Sequence, residues 1–275
     1  MCNIIYRFVI CGIVKKLKPK KSLGQHFLND KDIAARIVSS LKADNIRHVI
    51  EVGPGMGALT LLLLHEQRFD TRFVEIDADA ARYLEAQFPE IKGKLIIADF
   101  LHCPLEAIFG NHQIAIIGNF PYHISSQIFF RILNYRQQVK EVVGMLQKEV
   151  AERIAAPPGS KVYGITSVLL QAFYDIEYLF TVHEHLFTPP PKVKSGVIRL
   201  IRNQVETLPC NEVLFSRVVK TAFNQRRKML GNSLKSLLPA GHSANPILSK
   251  RPEQLGVQEF IELTRFVENE SISLS

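Results

Sequence analysis

Short apolar runs alternate with helical repeats through the first half of the chain. His48 to Val52, Arg72 to Ile76, Lys94 to Ala98 and Ile114 to Gly118 are too short for helices and read as strands in the interior of a sheet. Around them, apolar residues recur every three or four positions. Ile33, Ile37, Val38 and Leu41 follow a cap at Asn29 or Asp30; Leu59, Leu62 and Leu63 form a second set; Ile124 to Leu133 form a third. Strand and helix in alternation predict an α/β fold with a parallel, Rossmann-like sheet. Val139 to Leu146 continues the sheet, and Asp175 to Val182 and Gly196 to Ile201 read as two late strands. Helices are expected at Lys148 to Ala155 and Ile165 to Phe173, divided by Pro157-Pro158-Gly159. After Arg202-Asn203-Gln204 the period is helical only, over 213–223, 229–238 and 258–267, with Pro209, Pro239, Pro246 and Pro252 as punctuation. The expected organisation is a basic, flexible extension at 1–21, a sheet domain at 22–203 and a small all-helical domain at 204–275.

The polar residues that close the strands carry the chemistry. In an open α/β sheet, ligands bind beyond the carboxyl ends of the strands. Glu51-Val52-Gly53-Pro54-Gly55-Met56-Gly57 stands at the end of the first strand, where glycines let the backbone turn sharply and approach a ligand. Glu75, with Asp77 just after it, lies about 20 residues further on, the place of an acid that accepts from ribose hydroxyls. Asp99-Phe100 closes the third strand, where an acid can accept from an adenine amino group. The longer dinucleotide fingerprint is missing, and several carboxylates favour a cationic adenosine cofactor over a pyrophosphate one. S-adenosyl-L-methionine fits that description, so methyl transfer is expected rather than hydride transfer.

Asn119-Phe120-Pro121-Tyr122 closes the fourth strand. The Asn119 side-chain oxygen can accept from an amino group. The Phe120 carbonyl is a second acceptor, with Pro121 fixing the backbone behind it. Tyr122 offers a flat face. Two acceptors and a ring suit an exocyclic amine on a nucleobase; taken alone, the tetrapeptide reads equally well as a strand-to-helix turn capped by Asn. Further on, Phe187 precedes the stiff segment Thr188-Pro189-Pro190-Pro191, which could hold its ring over the second face of a base on Tyr122.

Composition narrows the partner. The formal net charge is +8, and Lys15, Lys16, Lys18, Lys20 and Lys21 crowd one arm, which favours a polyanion such as nucleic acid. Arg226-Arg227-Lys228 is a second basic cluster that could contact phosphates. Cys2, Cys11, Cys103 and Cys210 are scattered, pointing to neither a disulfide framework nor a zinc site, so a reducing cytoplasm is expected. His183 and His185 have no accompanying ligand set, and no metal is expected. Met1 to Val14 is apolar but interrupted by Arg7, is too short for a membrane span and lacks a signal-peptide cleavage site, so it reads as an added leader.

Together these segments resemble the small-subunit ribosomal RNA adenine dimethyltransferases. The resemblance rests on LGQHFLND (23–30), EVGPGMGALT (51–60), VEID (74–77), GNFPYHIS (118–125), MLQKEVAERI (145–154), FTPPPKVKSGVIRL (187–200) and AFNQRRKML (222–230), and it covers nearly everything from Lys18 to Thr264. It implies S-adenosylmethionine-dependent methylation of two adjacent adenosines near the 3′ end of small-subunit rRNA, in an immature 30S particle, by a monomer. It further implies cofactor contacts at His26, Leu28, Gly53, Glu75, Asp99 and Asn119, chemistry at the 119–122 turn, and a base held by Tyr122 and Phe187. His26 stands where many relatives have Asn, and Phe120 where Leu is usual. Methylation of large-subunit rRNA, and a non-catalytic role in subunit assembly, are the alternative readings.

Overall fold

The computed structural model describes residues 17–272 apart from 240 and 243. The leader 1–14 and two lysines of the basic arm, Lys15 and Lys16, lie outside the described residues.

Seven strands form the main sheet: β1 (His48–Val52), β2 (Asp70–Glu75), β3 (Leu95–Ile97), β4 (Ile114–Asn119), β5 (Val139–Gln147), β6 (Tyr174–Val182) and β7 (Ser195–Arg202). Their spatial order is β3-β2-β1-β4-β5-β7-β6. The first five run parallel, and β7 is antiparallel to both β5 and β6. The order reverses direction between β1 and β4, so the loops leaving these neighbours diverge to opposite faces and open a crevice at their carboxyl ends. All of Ile114 to Ile117 are fully buried, as the unbroken apolar run requires of a central strand.

Side-chain caps set the helix starts. Asp30 accepts from the Ile33 N–H at 2.8 Å and opens the helix Lys31–Ser39. Asp77 accepts from the Asp79 N–H at 2.9 Å and opens Ala78–Gln87, and Asn211 does the same for Glu212–Asn224 through Leu214 at 2.9 Å. Each cap satisfies a backbone donor that the first turn leaves unpaired.

One expected helix is shorter. The helical period over 229–238 yields only a short helix, Leu230–Ser233, followed by turns. Gly231, Asn232 and Ser233 are weak helix formers, and the burial of Leu230, Leu234 and Leu238 is achieved without a continuous helix. Across the boundary expected near residue 204 the apolar core is continuous. Phe215, Val218, Val219 and Phe260 belong to the same apolar cluster as Ile116, Phe129 and Val142 of the sheet and its covering helix. The opposite face of the sheet is covered separately, around Ile37, Leu63, Phe73, Ile117 and Val143.

Candidate active site

The crevice between β1 and β4 is a cavity of about 290 Å³. Its floor is the glycine loop. Gly53 and Gly55 adopt φ of 68° and 57°, left-handed values that disfavour any side chain. The turn lets the Gly55 N–H reach the Glu75 carboxylate at 3.0 Å, while the other Glu75 oxygen accepts from the Asp77 N–H at 2.9 Å. A carboxylate has about four acceptor sites, so Glu75 retains capacity for a ligand hydroxyl beside these backbone donors. Glu75 is buried, and desolvation pushes its pKa up against the pull of these backbone donors. Glu51, also buried, accepts from the Thr60 hydroxyl at 2.7 Å. Burial pushes its carboxyl up to about 8, with the Thr60 hydrogen bond opposing and the Glu75 charge adding to the rise. Asp99 completes the acidic rim, accepting from the Leu101 N–H at 2.9 Å and pairing with His102 at 2.6 Å.

Asp77 does not line this cavity. Burial works to raise its pKa, but Lys20 at 2.5 Å, the Asp79 N–H and the Gln25 amide at 3.1 Å outweigh it and hold the carboxyl below its ordinary value. The end of the basic arm, expected to be flexible, is therefore seated: Leu17 is buried and Lys20 bridges Asp77 and Asp79. This seating brings Gln25, His26 and Leu28 to the cavity wall.

The 119–122 turn forms the opposite side. The Asn119 amide nitrogen donates to the His26 carbonyl at 2.9 Å. That bond assigns the amide orientation and leaves the side-chain oxygen available as an acceptor at the cavity. The Phe120 ring is fully buried and its N–H donates to the Met145 carbonyl at 2.9 Å. Tyr122 is held at its hydroxyl by Ser195 Oγ at 2.6 Å and at its carbonyl by the Ser125 hydroxyl at 3.1 Å.

His26, Leu28, Gly53, Glu75, Asp99, Asn119, Phe120, Pro121 and Tyr122 all line one cavity. Phe187 does not. It is 2% exposed, because the two-residue strand Phe187–Thr188 pairs with Phe27–Leu28 and its ring joins the apolar cluster beneath the sheet. Burial of a full aromatic ring outweighs leaving it at an open slot. The ring beside Tyr122 is instead His26, stacked with centroids 5.5 Å apart at 27°, its Nδ1–H donating to the Pro189 carbonyl at 2.8 Å. Ile76 also lines the cavity, half exposed next to buried Glu75. Sequence reasoning missed it, since an apolar residue at a strand end carries no sign that it stays uncovered. Ser195 was equally silent, and nothing short of the β5–β7 pairing reveals it.

The lining suits S-adenosylmethionine. The buried acids Glu51 and Glu75 face the cavity, where an entering cation would favour their ionised forms, Glu75 can accept from ligand hydroxyls, and apolar Ile76, Phe100 and Leu101 stand beside it for a flat ring.

Residues 16–256 match the family model described as "Ribosomal RNA adenine dimethylase". The chain belongs to this family. It is 56% identical over 256 residues to the ribosomal RNA small subunit methyltransferase A of Cytophaga hutchinsonii, covering 92% of this chain and 99% of that protein. It is 55% identical over 252 residues to the protein of the same description from Porphyromonas gingivalis, covering 90% and 97%. Among solved structures it resembles a dimethyladenosine transferase from Plasmodium falciparum, with TM-score 0.71, 22% identity and coverage of 90% and 98%. The 23S rRNA methyltransferase ErmE is similar at TM-score 0.65 and 24% identity, covering 88% of this chain and 99% of its own. These two likenesses speak to the fold of the dimethylase family; the sequence relatives speak to its branch.

Proposed function

We propose that this S-adenosylmethionine-dependent rRNA adenine dimethyltransferase acts on two adjacent adenosines in the 3′-terminal hairpin of small-subunit rRNA, within an immature 30S particle, as a cytoplasmic monomer. The observation that carries the site assignment is the Asn119 amide. With its nitrogen committed to the His26 carbonyl, its oxygen is an acceptor for one N6 hydrogen of adenine. The Phe120 carbonyl accepts the other. Adenine N6 is a poor nucleophile because its lone pair is delocalised into the ring. Two acceptors on its hydrogens favour a pyramidal nitrogen and localise the pair. When bound, S-adenosylmethionine supplies the methyl group on a sulfonium leaving group. The amine takes up that group and releases its surplus proton afterwards, so the side chains of the turn work by holding and orienting. Positioning of this kind contributes roughly 7–11 kcal/mol in well-oriented systems. Tyr122 stacks the extruded base, worth about 1–3 kcal/mol. Extrusion is least costly from a loop.

The second basic cluster divides into two roles. Arg226 is tied to the Ser160 carbonyl at 3.1 Å and lies near Glu253 at 3.8 Å, whereas Arg227 and Lys228 are exposed. Arg227→Ala with Lys228→Ala is expected to weaken RNA binding while leaving cofactor affinity unchanged. The slope of log affinity against log salt should fall by about 0.7–0.9 for each phosphate that the variant no longer neutralises. An unchanged slope in filter binding at several salt concentrations would remove these two residues from the RNA surface.

The decisive experiment is mass spectrometry of rRNA from immature small subunits incubated with the purified protein and cofactor. Two neighbouring adenosines, each carrying two methyl groups, are expected in small-subunit rRNA. Methylation of large-subunit rRNA alone, or of neither, refutes the proposal. The 54–56% identity to small subunit methyltransferases supports the small-subunit branch.

A further inference from the structure

Gly118 on β4 and Gly144 on β5 are register partners in the centre of the sheet. Glycine weakens a strand, and a pair of them side by side forfeits two buried side chains, so the backbone there admits something close. What it admits is the ring of Phe120. A Cβ added at Gly144 would stand 2.5 Å from Phe120 Cε2 and 3.0 Å from Cδ2. One added at Gly118 would stand 2.9 Å from Cε1, 3.1 Å from Cδ1 and 2.6 Å from the Val52 carbonyl oxygen. The two edges of one ring thus rest against two glycines. Phe129 meets the ring edge-on at 5.8 Å, and the Phe120 N–H is bonded to the carbonyl of Met145, the residue after Gly144.

We propose that Gly144 is a positioning residue: the notch it shares with Gly118 seats the Phe120 ring and so sets where the Asn119 oxygen and the Phe120 carbonyl present themselves to the adenine amine. The inference rests on the role given to the 119–122 turn above. Gly144 does not line the cofactor cavity. A methyl group at 144 drives the ring away from β5. Room for retreat toward β4 is small, since the ring lies so near Gly118 that a Cβ there would stand 2.9 Å from Cε1, so the displacement passes into the Phe120 backbone and its carbonyl. A misplacement of about 1 Å in a reacting group can cost about 10²-fold in rate.

The test is a set of variants, Gly144→Ala, Phe120→Leu and the two combined, read by single-turnover methylation of saturating RNA, by calorimetry for the cofactor and by thermal melting. Leu lacks the outer ring atoms that collide with a methyl at 144 but keeps the backbone carbonyl. Gly144→Ala should lower kcat at least tenfold with cofactor Kd within twofold of the parent. Phe120→Leu removes the ring and is the reference for the combined variant, which should be within threefold of Phe120→Leu. Parental kcat in Gly144→Ala overturns the proposal. So does a folded combined variant that falls below Phe120→Leu by the full factor lost between the parent and Gly144→Ala. Should Gly144→Ala not fold, a folded combined variant with kcat near that of Phe120→Leu still supports it; failure of both to fold overturns it, since Gly144 would then matter independently of the ring. Full activity in Asn119→Ala would bring down the reading of the turn itself, whereas a loss there without one in Gly144→Ala brings down the notch alone.

Discussion

Asn119→Ala is expected to lower kcat by about 10²–10³-fold, corresponding to about 2.7–4 kcal/mol, the range found when one fixed hydrogen-bonding group is removed from a site of developing charge. The side-chain oxygen is the only part of Asn119 offered to the amine, because the amide nitrogen is engaged by the His26 carbonyl. Truncation removes the acceptor and also leaves that carbonyl without its donor, so the segment carrying His26 loses a tether. Overall folding should survive, since the residue stands at the mouth of β4 and the buried core of the strand is untouched. RNA affinity should change little, because phosphate contacts dominate it. The measurement is transfer of tritiated methyl groups to immature small subunits under single-turnover conditions. Equal rates for variant and parent would show that N6 is not held by this side chain.

Glu51→Gln is expected to change how stability depends on pH. In the folded chain, burial holds the Glu51 carboxyl protonated up to about 8, whereas the unfolded chain releases that proton near the ordinary 4.5. Below about 4.5 both states bind the proton alike. Between the two values only the folded state binds it, so rising pH favours unfolding and stability declines across that window. At 1.36 kcal/mol per pH unit, the full span corresponds to at most about 5 kcal/mol. Glutamine keeps an oxygen for the Thr60 hydroxyl and removes the titration. The melting temperature of the variant, relative to the parent, should therefore rise as pH goes from 5 to 8, by about 2–4 °C for each kcal/mol recovered. A cationic cofactor draws the carboxyl toward its ionised form, so parental cofactor affinity should also climb with pH below 8, more steeply than in the variant. Parallel melting curves for both proteins from pH 5 to 8 would show that Glu51 is ionised throughout.

Several residues of the cavity were legible because parallel strands leave a plain trace. Each is a short apolar run, and the polar residue that closes it stands where a ligand can reach. Glu51, Glu75, Asp99 and Asn119 were found that way, and the structure gathers them around one cavity. Asp77 shows the limit of that trace. It sits beside Glu75 in sequence, yet it caps a helix and holds Lys20. Two residues apart, both acids would share a face if the strand ran on, but the strand ends at Glu75 and Asp77 turns into the cap of the next helix. The burial of Phe187 away from the cavity was hidden for a related reason. Its exposure depends on pairing between Phe27–Leu28 and Phe187–Thr188, segments far apart in the chain, and no local pattern encodes that pairing.

The order of apolar runs and their terminal residues determined the α/β class, the cofactor type and the candidate turn at 119–122, since burial and hydrogen-bonding capacity are properties that individual residues carry wherever they fold. The tertiary structure alone decided which ring stands beside Tyr122, which way the Asn119 amide points and what seats the Phe120 ring. Each of those depends on a contact between residues remote in sequence, and such contacts exist only after the strands have taken their places.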